Sequence, residues 1–219
     1  MPESPPPPSA ARAWLLGRPG HPGFAARVAV GLPYTAFLIG TYQLVARLVH
    51  PGGGGDLSTR LDLAVPFLPW TVWFYVPGYA LCFLLPIAAI DEWAYFFRTA
   101  AALFVASVPA WTVHALYPIA YPRPPAPAGP GLDLSMLRWV YAFDPPHNTF
   151  PSLHVSLAVV MMAASWGWSR RLGAVVTALS TAMIVSVLTL KQHFVADIVG
   201  GFASASVAWA LLLKGQGRA

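Results

Sequence analysis

Charge is what this sequence has least of. Only 10% of its 219 residues are Asp, Glu, Lys or Arg, against about 25% in an ordinary soluble domain. That scarcity excludes a surface built to face water all round. Cysteine is almost absent: Cys82 stands alone inside an apolar segment, so an internal disulfide framework is excluded. The first residues, "MPESPPPPSAARAWLLGRPGHPG", have no short apolar stretch ending in a small-residue cleavage site, which argues against a secretory signal peptide. Their proline content reads instead as a disordered tail over residues 1–23. The net charge of +5 is modest; it is read as membrane topology, and no nucleic-acid partner is expected.

What the chain has in abundance is apolar length. Hydrophobic residues make up 57% of it, and a helix needs roughly 20 such residues to cross a bilayer. Six runs qualify, at about 24–48, 66–90, 94–117, 151–168, 172–190 and 194–213. The expected fold is therefore all-α: a polytopic membrane protein with a six-transmembrane-helix bundle over 24–213 and a short tail at 214–219. With the N-terminus cytoplasmic, Arg12, Arg18, Arg27, Arg98, Arg170, Arg171, Lys214 and Arg218 fall inside. Arg47, Arg60, Arg123, Arg138 and Lys191 fall outside. The excess of basic residues inside supports that orientation, with both termini cytoplasmic. Trp70, Trp73, Trp93, Trp139, Trp166 and Trp168 lie near span ends, as an interfacial aromatic belt requires. The longest connection, between the third and fourth runs, is kept extended in its first half by proline.

Three segments that meet on the outer side in this topology carry the chemistry. "YPRP" supplies Arg123, "FPSLH" supplies Ser152 and His154, and "KQHFVAD" supplies Lys191, His193 and Asp197. An ionisable group within a membrane is costly and pairs or lines a polar cavity. His193 and Asp197 are four residues apart, hence neighbours on one helix face. A carboxylate there fixes the imidazole tautomer and frees the other nitrogen as nucleophile or base. Lys191 would point nearly opposite on a continuous helix, so the chain is expected to turn there. Pro151 and Ser152 read as a helix entrance whose free N–H groups suit an anion, and His154 can donate a proton to a departing oxygen. Cations, a helix start and two histidines together suit a phosphate. Two histidines and an aspartate are also metal-ligand types, although Arg123 and Lys191 would repel a cation. His21, His50 and His114 read as structural; Asp144, His147 and Asn148 are left open.

In this order, "RP" at 123–124, "PSLH" at 151–154 and "HFVAD" at 193–197 resemble the motifs of the type 2 phosphatidic acid phosphatase superfamily. The resemblance covers about the last 100 residues by motif. It implies that His193 attacks phosphorus to form a phosphohistidine, oriented by Asp197, that His154 protonates the leaving oxygen, and that Arg123 and Ser152 hold the phosphoryl oxygens. It implies no metal and no cofactor. Leu116 stands where the family's first motif has lysine, Val187 where its third has arginine, and Leu153 where Pro-Ser-Gly-His has glycine. Lys191 is the expected substitute for a missing cation. The forms "FPSLH" and "KQHFVAD" look closest to the branch holding transferases of the inositol-phosphorylceramide synthase type.

The expected activity is hydrolysis of a lipid phosphate or diphosphate at the outer interface of a bacterial plasma membrane. The alternatives are a phospho-headgroup transferase with a lipid-alcohol acceptor, and a non-catalytic binder or transporter of anionic lipids.

Overall fold

A computed structural model describes residues 15–18, 20–49 and 55–218. Within the tail expected to lack structure, β1 (Gly17–Arg18) pairs antiparallel with β2 (His21–Pro22); residues 1–14 and 19 lie outside the described residues. The helices are α1 (Phe24–Leu48), α2 (Arg60–Ala64), α3 (Tyr79–Ala89), α4 (Trp93–Leu116), α5 (Leu132–Phe143), α6 (Leu153–Trp168), α7 (Arg170–Thr189) and α8 (Val195–Leu212). A short 3₁₀ turn at Pro69–Thr71 and a π turn at Phe74–Gly78 lead into α3. The π turn contains Pro77, which has no N–H and whose ring would strike a carbonyl one turn back in a regular helix. Widening the turn relieves that clash.

Among the described residues, five helical segments are long and apolar enough to cross a membrane: Phe24–Leu48, Pro69–Ala89, Trp93–Leu116, Arg170–Thr189 and Val195–Leu212. The fourth expected run is the exception. As α6 it has 16 residues, about 24 Å of helix at 1.5 Å per residue, short of a hydrocarbon core of roughly 30 Å. Its interior position explains how it can be short. Val155, Ala158, Val160 and Ala164 are wholly buried, and α6 packs on α4, α7 and α8. The long helices instead leave Phe37, Phe104, Val185 and Val207 exposed on the outside of the bundle, the pattern of a surface facing lipid.

Helix α5 was not anticipated. It is amphipathic: Leu137 and Val140 are buried against Val72 and Leu190, while Trp139 and Phe143 stack on its exposed side at 5.1 Å. The preceding stretch, 117–131, has no regular structure, in keeping with its prolines.

The bundle has two distinct ends. At one, Arg218 donates its N–H to the Gly167 carbonyl (2.8 Å), pairs with Asp91 (3.2 Å) and covers the Trp168 ring at 3.9 Å; His21 Nδ1 also meets the Asp91 carbonyl. The other end, about 36 Å away along the 24 residues of α4, carries the starts of α6 and α8. The described beginning and end of the chain thus share one end, opposite the segments that bear the polar motifs.

The small helix α2 braces that second end. Thr59 and Asp62 cap it reciprocally, and the other Asp62 oxygen accepts the Val195 N–H at 2.7 Å, where α8 begins. Burial alone would raise the Asp62 carboxyl; donors from Thr59 and Val195 outweigh it and hold it below the usual value. A depressed carboxyl stabilises the fold above its unfolded value and loses that contribution as the pH falls through its folded one. Asp62→Ala is expected to cost about 1–2 kcal/mol near neutrality. The difference from wild type should begin to shrink only as the pH falls below about 4, as read by thermal unfolding in detergent.

Candidate active site

The site begins where two helix starts are butted together. Ser152, the N-cap of α6, accepts the Val155 N–H on its hydroxyl and donates its own N–H to the Asp197 carbonyl in the first turn of α8 (3.1 Å). Only glycine permits the approach. A Cβ on Gly201 would stand 2.7 Å from Val155 Cβ and 2.9 Å from the Ser152 carbonyl oxygen, and one on Gly200 would stand 2.8 Å from Phe150 and Pro151.

His193 sits in the turn just ahead of α8. The expectation that it shares a helix face with Asp197 is corrected here: α7 ends at Thr189, Lys191 has φ of 55°, and α8 starts only at Val195. Asp197 lies in the first turn of α8 and folds back, accepting the Phe194 N–H (2.8 Å) and facing His193 Nδ1 (3.1 Å). The Thr149 carbonyl also faces Nδ1 at 3.1 Å. Both neighbours of Nδ1 accept only, so Nδ1 carries the proton. Nε2 then presents a lone pair, 3.2 Å from the Ser152 hydroxyl. The spacing of four therefore marks the right pair, through a cap instead of a helix face.

His154 is the second residue of α6. Its ring centre is 5.6 Å from that of His193, so both imidazoles reach one phosphate-sized space. Tyr42, Tyr75 and Tyr79 surround it at 6.3, 5.1 and 5.2 Å. Nε2 lies 2.9 Å from the Tyr75 hydroxyl, which donates to Asp144 Oδ2 at 2.9 Å. The Tyr42 hydroxyl donates to Asp144 Oδ1. Arg123 binds the Asp144 and Pro145 carbonyls, lies 3.7 Å from the Asp144 carboxylate and covers the Tyr141 ring at 5.2 Å. Burial alone would raise the Asp144 carboxyl; His154, Arg123 and Tyr42 together hold it below its ordinary value.

A cavity of about 350 Å³ opens against His154 and Asp144. Apart from those two, the tyrosine hydroxyls, Thr35 and Gln43, its lining is aliphatic or aromatic. Leu32, Ile39, Leu84, Trp139 and Phe143 line it and are also exposed on the outside of the bundle, so it opens sideways, between α1, α3 and α5. The volume lies at the small end of the range for small-molecule sites.

The structure therefore gathers Ser152, His154, His193 and Asp197, with Arg123 reaching them through Asp144. Lys191 stands apart. Its left-handed turn fulfils the expected break in the helix, but its ammonium donates to the Asp62 and Val65 carbonyls (2.9 and 2.6 Å). That bond braces α2 and gives the ammonium backbone acceptors in place of the expected phosphate. His147, left open above, bonds the Ala46 carbonyl at 2.8 Å. Asn148 is buried with neither amide atom paired in the protein. His114 packs edge-on to Tyr42 at 5.9 Å. Sequence reading missed Tyr42, Tyr75 and Tyr79; their apolar surroundings are those of any core tyrosine. Among the described residues, no three His, Cys, Asp or Glu side chains gather as a metal site would require.

Residues 63–211 match the sequence model of the PAP2 superfamily, and the chain is a member of that superfamily. No curated protein and no solved structure matches it.

The butted helices give a direct test. Gly201→Ala should destabilise the protein by about 1–3 kcal/mol, because backbone must move. Gly40→Ala, in α1 with nothing within 4 Å of the added carbon, should stabilise it by about 1 kcal/mol. Equal shifts in thermal unfolding would show that the close approach is not needed.

Proposed function

We propose that the protein is an integral-membrane enzyme that hydrolyses a lipid phosphate or diphosphate through a phosphohistidine on His193. The observation that carries this reading is the pairing of the imidazoles. One has its Nδ1 proton fixed by Asp197 and Thr149 and an unprotonated Nε2 facing the Ser152 hydroxyl; the other lies alongside at 5.6 Å and lines an apolar cavity. His193 Nε2 bonds to phosphorus as the bond to the leaving oxygen breaks. That oxygen keeps the electron pair and takes a proton from His154. Water then gives a proton to the now neutral His154 and bonds to phosphorus, and the P–N bond breaks. Ser152, the N–H groups opening α6 and Arg123 stabilise the non-bridging oxygens. No metal is required in this scheme.

The cavity abuts the proposed proton donor, which supports a leaving alcohol whose hydrocarbon chain occupies it, and so a lipid substrate. The same contact favours the second reading. A cavity that releases a lipid alcohol also admits one, and attack by that alcohol on the phosphohistidine is headgroup transfer. In the proposed topology all six long runs cross, α6 included. Both described ends of the chain then face the cytoplasm and the histidines face the outer leaflet, in line with the basic residues.

Rapid-quench labelling should trap phosphate on wild-type protein and none on His193→Asn, whose turnover should fall by at least ~10³-fold. Full turnover in that variant would sink the proposal, and neither label nor turnover in wild-type protein would leave a binder or transporter standing. Release of free phosphate without an added alcohol selects hydrolysis over transfer. Because the cycle needs neutral His193 and protonated His154, kcat should trace a bell against pH, and chelators should leave it unchanged.

A further inference from the structure

Asp144 lies outside the three motifs, yet it is the most heavily engaged carboxylate beside the histidines. It takes hydroxyl donors from Tyr42 of α1 and Tyr75 of the π turn, and the charge of Arg123 from the loop after α4. An ionised carboxylate can only accept, and a phenol has a single proton to give. The Tyr75 proton therefore points at Asp144, and its oxygen is left to accept. His154 Nε2, 2.9 Å from that oxygen, must then be the donor. The direction of the whole chain follows from the charge at its far end.

We infer that Asp144 and Tyr75 are positioning residues: Tyr75 holds the Nε2 proton of His154, and the Asp144 charge favours the doubly protonated ring, whose Nδ1 proton is the one given to the oxygen of a poor leaving group. This deepens the proposed function and rests on it. The groups facing His154 are Tyr42 from α1, Tyr75 and Tyr79 from the run through α3, Asp144 and Arg123 beside α5, and His193 from the turn before α8. Among them Asp144 is the only carboxylate, and it is 5% exposed, so its charge is weakly screened. When the leaving oxygen takes a proton from His154, the ring becomes neutral and Asp144 keeps Arg123 as its one cationic neighbour. When water or an alcohol is deprotonated in the second half, the cation is restored. Asp144 and Tyr75 keep their own protonation states throughout, and no proton is created or lost.

An acid matters in proportion to the basicity of the oxygen it protonates. Dodecyl phosphate has a poor leaving group and 4-nitrophenyl phosphate a good one, and both can be assayed with the full chain in detergent. Tyr75→Phe and Asp144→Asn should lower kcat on dodecyl phosphate by about 10²-fold but by less than about fivefold on 4-nitrophenyl phosphate. KM should change little, and in Asp144→Asn the alkaline limb of kcat should move to lower pH, since a lost anionic neighbour disfavours the cation. In a His154→Asn background, adding Tyr75→Phe should cost nothing further. Equal losses on the two substrates, or additive losses in the double variant, would overturn the inference while His193 is still labelled. Should wild-type His193 take no label from either substrate, the proposed function would fall, and this inference with it.

Discussion

The one constraint on which the rest depends is the contact between the starts of α6 and α8. The Ser152 N–H reaches the Asp197 carbonyl across a gap that no side chain occupies. Ser152 and Asp197 each do two jobs there: they cap or fold back on their own helix and face His193. A shift of either helix would change the cap, the tautomer and the spacing of the imidazoles at once. Packing and chemistry are therefore not separable in this part of the protein.

Around that contact the structure distributes its few charges economically. Asp62 and Lys191 tie α2 to the α7–α8 turn, Arg123 pairs with Asp144 beside His154, and Arg218 with Asp91 closes the opposite end. Each of these six groups has a partner, as the cost of leaving a charge unpaired in a low-dielectric setting demands. Two family cations are replaced by Leu116 and Val187, and Lys191 is committed elsewhere. That leaves Arg123 as the cation nearest the histidines, itself partly neutralised by Asp144.

Much of this was legible in residues read one segment at a time. Long apolar runs located the helices within a few residues, because a bilayer sets their length. The clash between Lys191 and helical periodicity located the turn before His193. Helix α5 escaped notice because twelve amphipathic residues follow a proline-rich stretch that dominates the reading of the loop. The shortness of α6 was also hidden: an interior helix need not match the lipid, and nothing local says it is interior. The surroundings of His154 were illegible for a different reason. Tyr42 and Asp144 are 102 residues apart, and Tyr75 and Asp144 are 69 apart. A tyrosine in an apolar run gives no sign of which carboxylate it will meet.

The sideways opening of the cavity has a practical corollary. A mouth framed by Leu32, Ile39, Leu84, Trp139 and Phe143 is reached from within the hydrocarbon, so local abundance in the bilayer, and not bulk concentration, sets occupancy. Any single-chain amphiphile of fitting girth competes for it, the alkyl tails of common solubilising agents included. Under the proposed function such agents would slow turnover without unfolding the protein, and returning it to lipid nanodiscs would restore the rate.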